Sequence, residues 1–178
     1  LGDVYKRQQL DMNFETRSDV TIDEYINMIR LKTSVLVGGA MKIGALLANS
    51  SPEDAQHIYD FGVNVGLAFQ LQDDYLDCFG DPQKFGKQVG GDIISNKKTF
   101  MMLKALELDT SGKINSWVGK ESFDSKEKVD AVKELYKTLK VDELAFELMD
   151  QYYSKGLKSL AAISIDDSKK TMLKAFAA

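Results

Sequence analysis

Apolar residues recur along this chain at helical rather than alternating spacing, throughout its length. That period buries one stripe of an α-helix, whereas a strand needs alternation, so long helices without strands are expected. The only two prolines, Pro52 and Pro82, both fall at breaks between periodic segments. A proline inside a helix removes a backbone donor and clashes with the preceding turn, so their scarcity supports the same reading. The expectation is an all-α helical bundle.

The helix starts and stops are legible in places. Thr21 followed by Glu24 is a capping box, and Ile22, Tyr25, Ile26, Ile29, Thr33, Leu36, Val37, Ala40 and Leu47 then trace one stripe of a single long helix to about Asn49. Ser51, Pro52 and Asp54 repeat the start signal for a second helix running to about Phe79, which Gly80, Asp81 and Pro82 end. Residues 81–95 read as a loop rich in glycine and lysine, with a third helix from about Asn96 through Phe100, Leu103 and Leu106. Residues 108–125 read as a connection with a short helical turn near Trp117. Two amphipathic helices follow, joined at residues 140–142, and a short terminal helix carries Met172, Leu173 and Phe176. Short connections favour antiparallel neighbours in the bundle.

One partial domain over residues 1–178 is expected. The formal net charge of −4 provides no basic field for a nucleic-acid backbone or an anionic membrane, so an anionic ligand must be met locally. The single cysteine, Cys78, excludes an internal disulfide framework and fits a reducing, cytoplasmic setting. No apolar run reaches membrane-spanning length, because the stretch around residues 35–48 is broken by Gly38, Gly39, Lys42 and Gly44. The chain begins at Leu1 without helical periodicity, so a piece of a longer protein is expected, with residues 1–7 as a candidate non-native remnant.

The strongest chemical signal is FQLQDDYLD, residues 69–77. Gln70, Asp73, Asp74 and Asp77 fall at i, i+3, i+4 and i+7, placing three acids and an amide on one helix face. Like charges at that spacing repel, and acids near a helix C-terminus oppose its dipole. A solvated acidic helix end is the bland alternative, but a hard cation offsets the repulsion well. Magnesium takes one or two carboxylates and completes its octahedron with water and phosphate oxygens, so the cluster points to Mg2+ and a phosphate-bearing ligand. Gly62 and Gly66 upstream leave room either for close helix packing or for the contents of a cavity.

Lys32 and Thr33 bring an ammonium and a hydroxyl to one level of the first helix. Beside a metal-bound diphosphate the lysine would supply charge, and an inward threonine or glutamine would offer an oxygen dipole to a developing cation. Snorkelling of Lys32 and a back-bond from Thr33 to its own helix are the competing readings. The loop with Phe85, Gly86, Lys87, Gly90, Gly91 and Asp92 places one lysine directly after the acidic helix, without the strand or the following serine or threonine of a Walker A loop. Lys97 and Lys98 open the expected third helix, where positive charge opposes the dipole unless an anion lies close; Lys98 reads as surface charge. His57 is the only histidine, so no histidine triad or zinc site can be built. Cys78 and the methionines at 28, 41, 101, 102, 149 and 172 read as packing, and His57 as exposed.

The ordered set Lys32-Thr33, FQLQDDYLD, Gly86-Lys87, Gly91-Asp92 and Asn96-Lys97 resembles the C-terminal half of a trans-prenyl diphosphate synthase of the polyprenyl synthetase family. Gln8, Asp11 and Met12 resemble a further family segment, with Arg7 where its glycine is expected. The resemblance implies the isoprenoid synthase type of helical bundle and Mg2+-dependent head-to-tail condensation of isopentenyl diphosphate with an allylic diphosphate. It implies that Asp73, Asp74 and Asp77 hold magnesium against the allylic diphosphate and that Lys32 and Lys87 neutralise that group. Thr33 and Gln70 would face the carbocation, Phe69 would pack near the isopentenyl group, and Lys97 would close the diphosphate end. It also implies a homodimer as the full-length protein. The family's first aspartate-rich motif is not in these residues, and Asp166-Asp167 does not replace it, so the chain alone is expected to lack condensing activity. A class I terpene cyclase and a non-catalytic subunit of a heteromeric synthase are the alternatives. The Lys-Thr pair and Gly-Lys loop argue against the first, and retention of all three aspartates against the second.

Overall fold

The structure, a computed structural model, describes Phe14 and residues 17–81 and 89–177. Among these residues there is no strand. The chain forms α1 (Ile22–Ile29), a π-helical turn (Arg30–Ser34), α2 (Val35–Leu47), α3 (Pro52–Phe79), α4 (Gly91–Ile94) and α5 (Phe100–Leu108). It continues through α6 (Lys113–Val118), α7 (Ser125–Thr138), α8 (Val141–Ala162), a 3-10 turn (Asp167–Lys170) and α9 (Thr171–Ala177).

The capping box forms: the Glu24 amide donates to Thr21 Oγ1 at 3.2 Å, and Glu24 Oε2 accepts from the Thr21 amide at 2.9 Å. Ser51 caps α3 by accepting from the Asp54 amide at 3.0 Å. The third helix starts later than its periodicity suggests. Asn96 adopts a left-handed conformation with φ 54°, and Thr99 caps α5 by accepting from the Met102 amide. The expected loop also contains the short helix α4.

The first helix corrects the expected stripe. Tyr25 and Ile29 face inward as predicted, but the next buried positions are Ser34 and Gly38, while Leu36, Ala40 and Leu47 are exposed. The step from Ile29 to Ser34 is five residues. A π-turn bonds i to i+5 and so inserts one residue into the helical count, rotating every later side chain.

The chain divides into two compact units. One comprises Leu1–Ile26 and Leu71–Glu147. Its described core holds Tyr25, Leu71, Cys78, Ile93, Met101, Met102, Ile114, Val132 and Tyr136, with α7 packed against α4, α5 and α6. Gly90 has φ 91°, and a Cβ there would lie 2.7 Å from Val129 Cγ2, so both backbone and space require glycine. The other unit comprises Asn27–Gln70 and Leu148–Ala178. Its core joins Ile58, Phe61 and Val65 of α3 to Leu160 and Ile163, with Met41, Ala45 and Leu173 against them. Gly62 and Gly66 serve close helix packing: added Cβ atoms would lie 2.8 Å from Gly38 Cα and 2.9 Å from Ser34 Cα. Met28, Met101, Met102 and Met149 are buried, but Met172 is 85% exposed, because α9 is short and presents most of its surface to solvent. His57 is half-buried rather than exposed. No described helix is long and apolar enough to cross a membrane.

Candidate functional site

The three aspartates of α3 have different surroundings, although they share one helix end. Asp73 is exposed, Asp77 is half-buried and Asp74 is buried at 8% exposure. Burying a carboxylate is costly unless it is paired and hydrogen-bonded, and Asp74 is both. The hydroxyl of Tyr25 donates to its Oδ2, and Lys97 Nζ lies 3.1 Å from its Oδ1. The same ammonium lies 3.1 Å from Asp92 Oδ2. Asp77 Oδ2 accepts from the Asp92 amide at 2.9 Å, at the start of α4. Lysine, tyrosine hydroxyl and backbone amide therefore offset the repulsion and the unfavourable helix dipole at the end of α3.

This clustering perturbs the titrating groups in consistent directions. Burial works against the Lys97 charge, but Asp74 and Asp92 outweigh it and hold the ammonium protonated, above its ordinary value. Burial pushes the Asp92 carboxyl up to about 6, with Lys97 opposing and Asp74 and Asp77 adding to the rise. Burial, followed by the Asp74 charge and its hydrogen bond, keeps the Tyr25 hydroxyl protonated and hence a donor. Burial, then the Asp77, Asp92 and Asp74 charges, also raises the Cys78 thiol. Cys78 is sealed in the core and packs there.

In the other unit, Thr33 sits within the π-turn and its Oγ1 donates to Gln70 Oε1 at 3.3 Å. The turn brings these two polar side chains together and leaves Lys32 exposed. Ser34, the next residue, is wholly buried against Gly66, and its hydroxyl has no hydrogen-bond partner among the described residues. Phe69 is 59% exposed, so it is not a core residue. Lys87 lies outside the described residues, as do Gln8, Asp11 and Met12. Among the described residues, no three His, Cys, Asp or Glu side chains are gathered closely enough to hold a metal ion by themselves.

Tyr25 and Asp92 are the participants to which the sequence assigned no role of their own, Asp92 standing there only within the Gly91-Asp92 pair. Tyr25 occupies an ordinary stripe position, and only the need of a buried hydroxyl for a partner sets it apart from a phenylalanine. Asp92 lies in what reads as loop, and its pairing with Lys97 depends on the α4 turn.

The chain is similar to known proteins over most of its length. A family model described as polyprenyl synthetase matches residues 1–139. Over 160 residues the chain is 37% identical to the geranylgeranyl diphosphate synthase of Sulfolobus acidocaldarius, covering 88% of this chain and 48% of that protein. Over 100 residues it is 49% identical to the short chain isoprenyl diphosphate synthase of Methanothermobacter thermautotrophicus, covering 56% of this chain and 31% of that one. The crystal structure of a geranylgeranyl pyrophosphate synthase matches with a TM-score of 0.91 at 43% identity, over 98% of this chain and 55% of that one. The chain thus spans about half, or less, of the length of the curated relatives it matches. On the family match, the identities and the shared all-α isoprenoid synthase fold, the chain belongs to the polyprenyl synthetase family.

Proposed function

We propose that this chain supplies the allylic-diphosphate side of a prenyltransferase that condenses isopentenyl diphosphate with an allylic diphosphate head to tail. The observation that carries the reading is the division of labour at the end of α3. Asp74 is locked inward by Tyr25 and Lys97, while Asp73 is exposed and has no hydrogen-bond partner among the described residues. An open carboxylate beside a braced one is a donor set that fits a hard divalent cation. Magnesium uses few protein ligands and takes the rest from water and phosphate, so a closed cage of acids is not required. Asp73 and Asp77 would hold Mg2+, with Asp74 behind them fixing the helix end; the ion's contribution is to neutralise charge on the leaving diphosphate.

In the proposed reaction the allylic C–O bond breaks and diphosphate leaves with the electron pair. The isopentenyl double bond then attacks the allylic carbon and leaves a tertiary cation on the isopentenyl unit, and a proton passes from the carbon next to that cation to the released diphosphate as the new double bond forms. Lys32 and Lys87 neutralise the allylic diphosphate. The Thr33 hydroxyl hydrogen is directed at Gln70, so its lone pairs remain to stabilise positive charge, with the Gln70 carbonyl beside it. Phe69 offers an exposed apolar ring to the isopentenyl group. Lys97 closes the diphosphate end from its position on Asp74 and Asp92. The exposed stripe of Leu36, Ile43 and Leu47 on α2 is consistent with a second copy as partner in the full-length protein.

Calorimetric titration with Mg2+ and an allylic diphosphate analogue tests the site. Asp73→Asn is expected to weaken binding by ~10-fold or more with no change in thermal stability, since it removes a metal ligand and no internal bond. Unchanged affinity in Asp73→Asn would overturn the assignment. Given Mg2+, an allylic diphosphate and labelled isopentenyl diphosphate, the 178 residues alone are expected to show little or no elongation, because they carry one aspartate-rich string; robust elongation would contradict this.

A further inference from the structure

Lys128 is wholly buried at the first turn of α7, yet no carboxylate is among its partners in the described residues. Its Nζ donates to Asn96 Oδ1 at 2.7 Å and to the Ile94 carbonyl at 3.3 Å, and it lies 4.1 Å from the centre of the Phe123 ring. Burial lowers its affinity for the proton, which is what a charge answered, among the described residues, by carbonyl dipoles and a ring should show. A buried cation with no anion among the described residues is expensive, and a methionine would fill the same space without that cost. Its partners explain what the charge does.

Ile94 ends α4, and Asn96 is the left-handed residue that reverses the chain immediately before Lys97. A left-handed conformation costs a residue with a Cβ, asparagine least, so bonds to the Asn96 side chain fix which way the turn sets. Asn96 is held on two sides, by Lys128 at its oxygen and by donation from its Nδ2 to the Val118 carbonyl at 3.1 Å. The next amide, that of Lys97, donates to the Asp92 carbonyl at 2.9 Å, and the Lys97 ammonium then meets Asp74 and Asp92. We propose that Lys128 is a positioning residue: it clamps the end of α4 and the Asn96 turn, and thereby delivers Lys97 to the acidic end of α3. The consequence for metal binding rests on the function proposed above, but the positioning itself does not.

Two measurements on the 178-residue chain separate these levels. Hydrogen exchange is read at the amides of Lys97 and of Thr99, which donates to the Lys97 carbonyl. Lys128→Met is expected to cut protection there by ~10-fold or more while α5 keeps its own. Titration with Mg2+ alone is then compared in Lys128→Met, Lys97→Met and the double variant. Removing the Lys97 charge should tighten Mg2+ by ~3- to 10-fold, Lys128→Met should move affinity in that direction, and it should add nothing once residue 97 is methionine. Unchanged protection in Lys128→Met, or a change in Mg2+ affinity on that substitution that is just as large with methionine at 97 as with lysine, overturns the proposal. If Mg2+ affinity ignores Lys97 altogether while protection still falls, the metal reading of the acidic face fails and the positioning stands. Should Lys128→Met not fold, Asn96→Gly removes the same acceptor while suiting the left-handed turn, and the same loss of protection is expected.

Discussion

Tyr25 shows how much a single hydroxyl decides here. The residue is 1% exposed and its packing needs no oxygen, yet the oxygen is one of the two side-chain partners that the buried Asp74 has among the described residues. Tyr25→Phe is therefore expected to destabilise the fold by about 1–3 kcal/mol, the cost of leaving a buried carboxylate short of a donor. Urea unfolding measures it, and a loss below about 0.5 kcal/mol would mean that Lys97 alone satisfies Asp74. The identity of the acids was legible at this scale, because three carboxylates at i, i+1 and i+4 are visible in any helical reading. Which of them turns inward was not. Asp73 and Asp74 are one residue apart, about 100° around the helix, and only the neighbours that each meets distinguish a braced carboxylate from an open one.

At the scale of the element, the first helix carries the clearest correction. Caps could be read from Thr21, Glu24 and Ser51 because capping is a local bargain between a side chain and amides two or three residues on. The π-turn could not, since Arg30–Ser34 contains no proline or glycine to announce it. It follows instead from what α2 packs against, and the two adjacent glycines of that helix expose the consequence. A Cβ on Gly38 would lie 2.7 Å from the Tyr59 carbonyl oxygen and 2.8 Å from Val63 Cγ2, whereas one on Gly39 would meet nothing within 4 Å. Gly38→Ala is expected to destabilise by about 1–3 kcal/mol through overpacking. Gly39→Ala should instead stabilise by about 0.5–1 kcal/mol through helix propensity. Equal effects in thermal melts of the two variants would contradict the rotated register.

For the molecule as a whole, Cys78 is a built-in reporter. It is the only cysteine, it is 1% exposed, and burial keeps its thiol protonated. The thiolate is the reactive form, so a thiol reagent should modify native protein ~1,000-fold or more slowly than denatured protein, with labelling tracking the loss of helical circular dichroism. Rapid labelling of the native chain would show that the core around Cys78 opens on its own. The sequence by itself determined the all-α class, the caps that open α1 and α3 and the acids of the candidate site, because period, caps and charge spacing act within a few residues of chain. Tertiary structure alone decided the rotation at Arg30–Ser34, the inward turn of Asp74, the meeting of Lys97 with Asp74 and the bond from Lys128 to Asn96. Each of those depends on partners 15 to 50 residues away along the chain or on the surface a helix must match, and no local pattern encodes such partners.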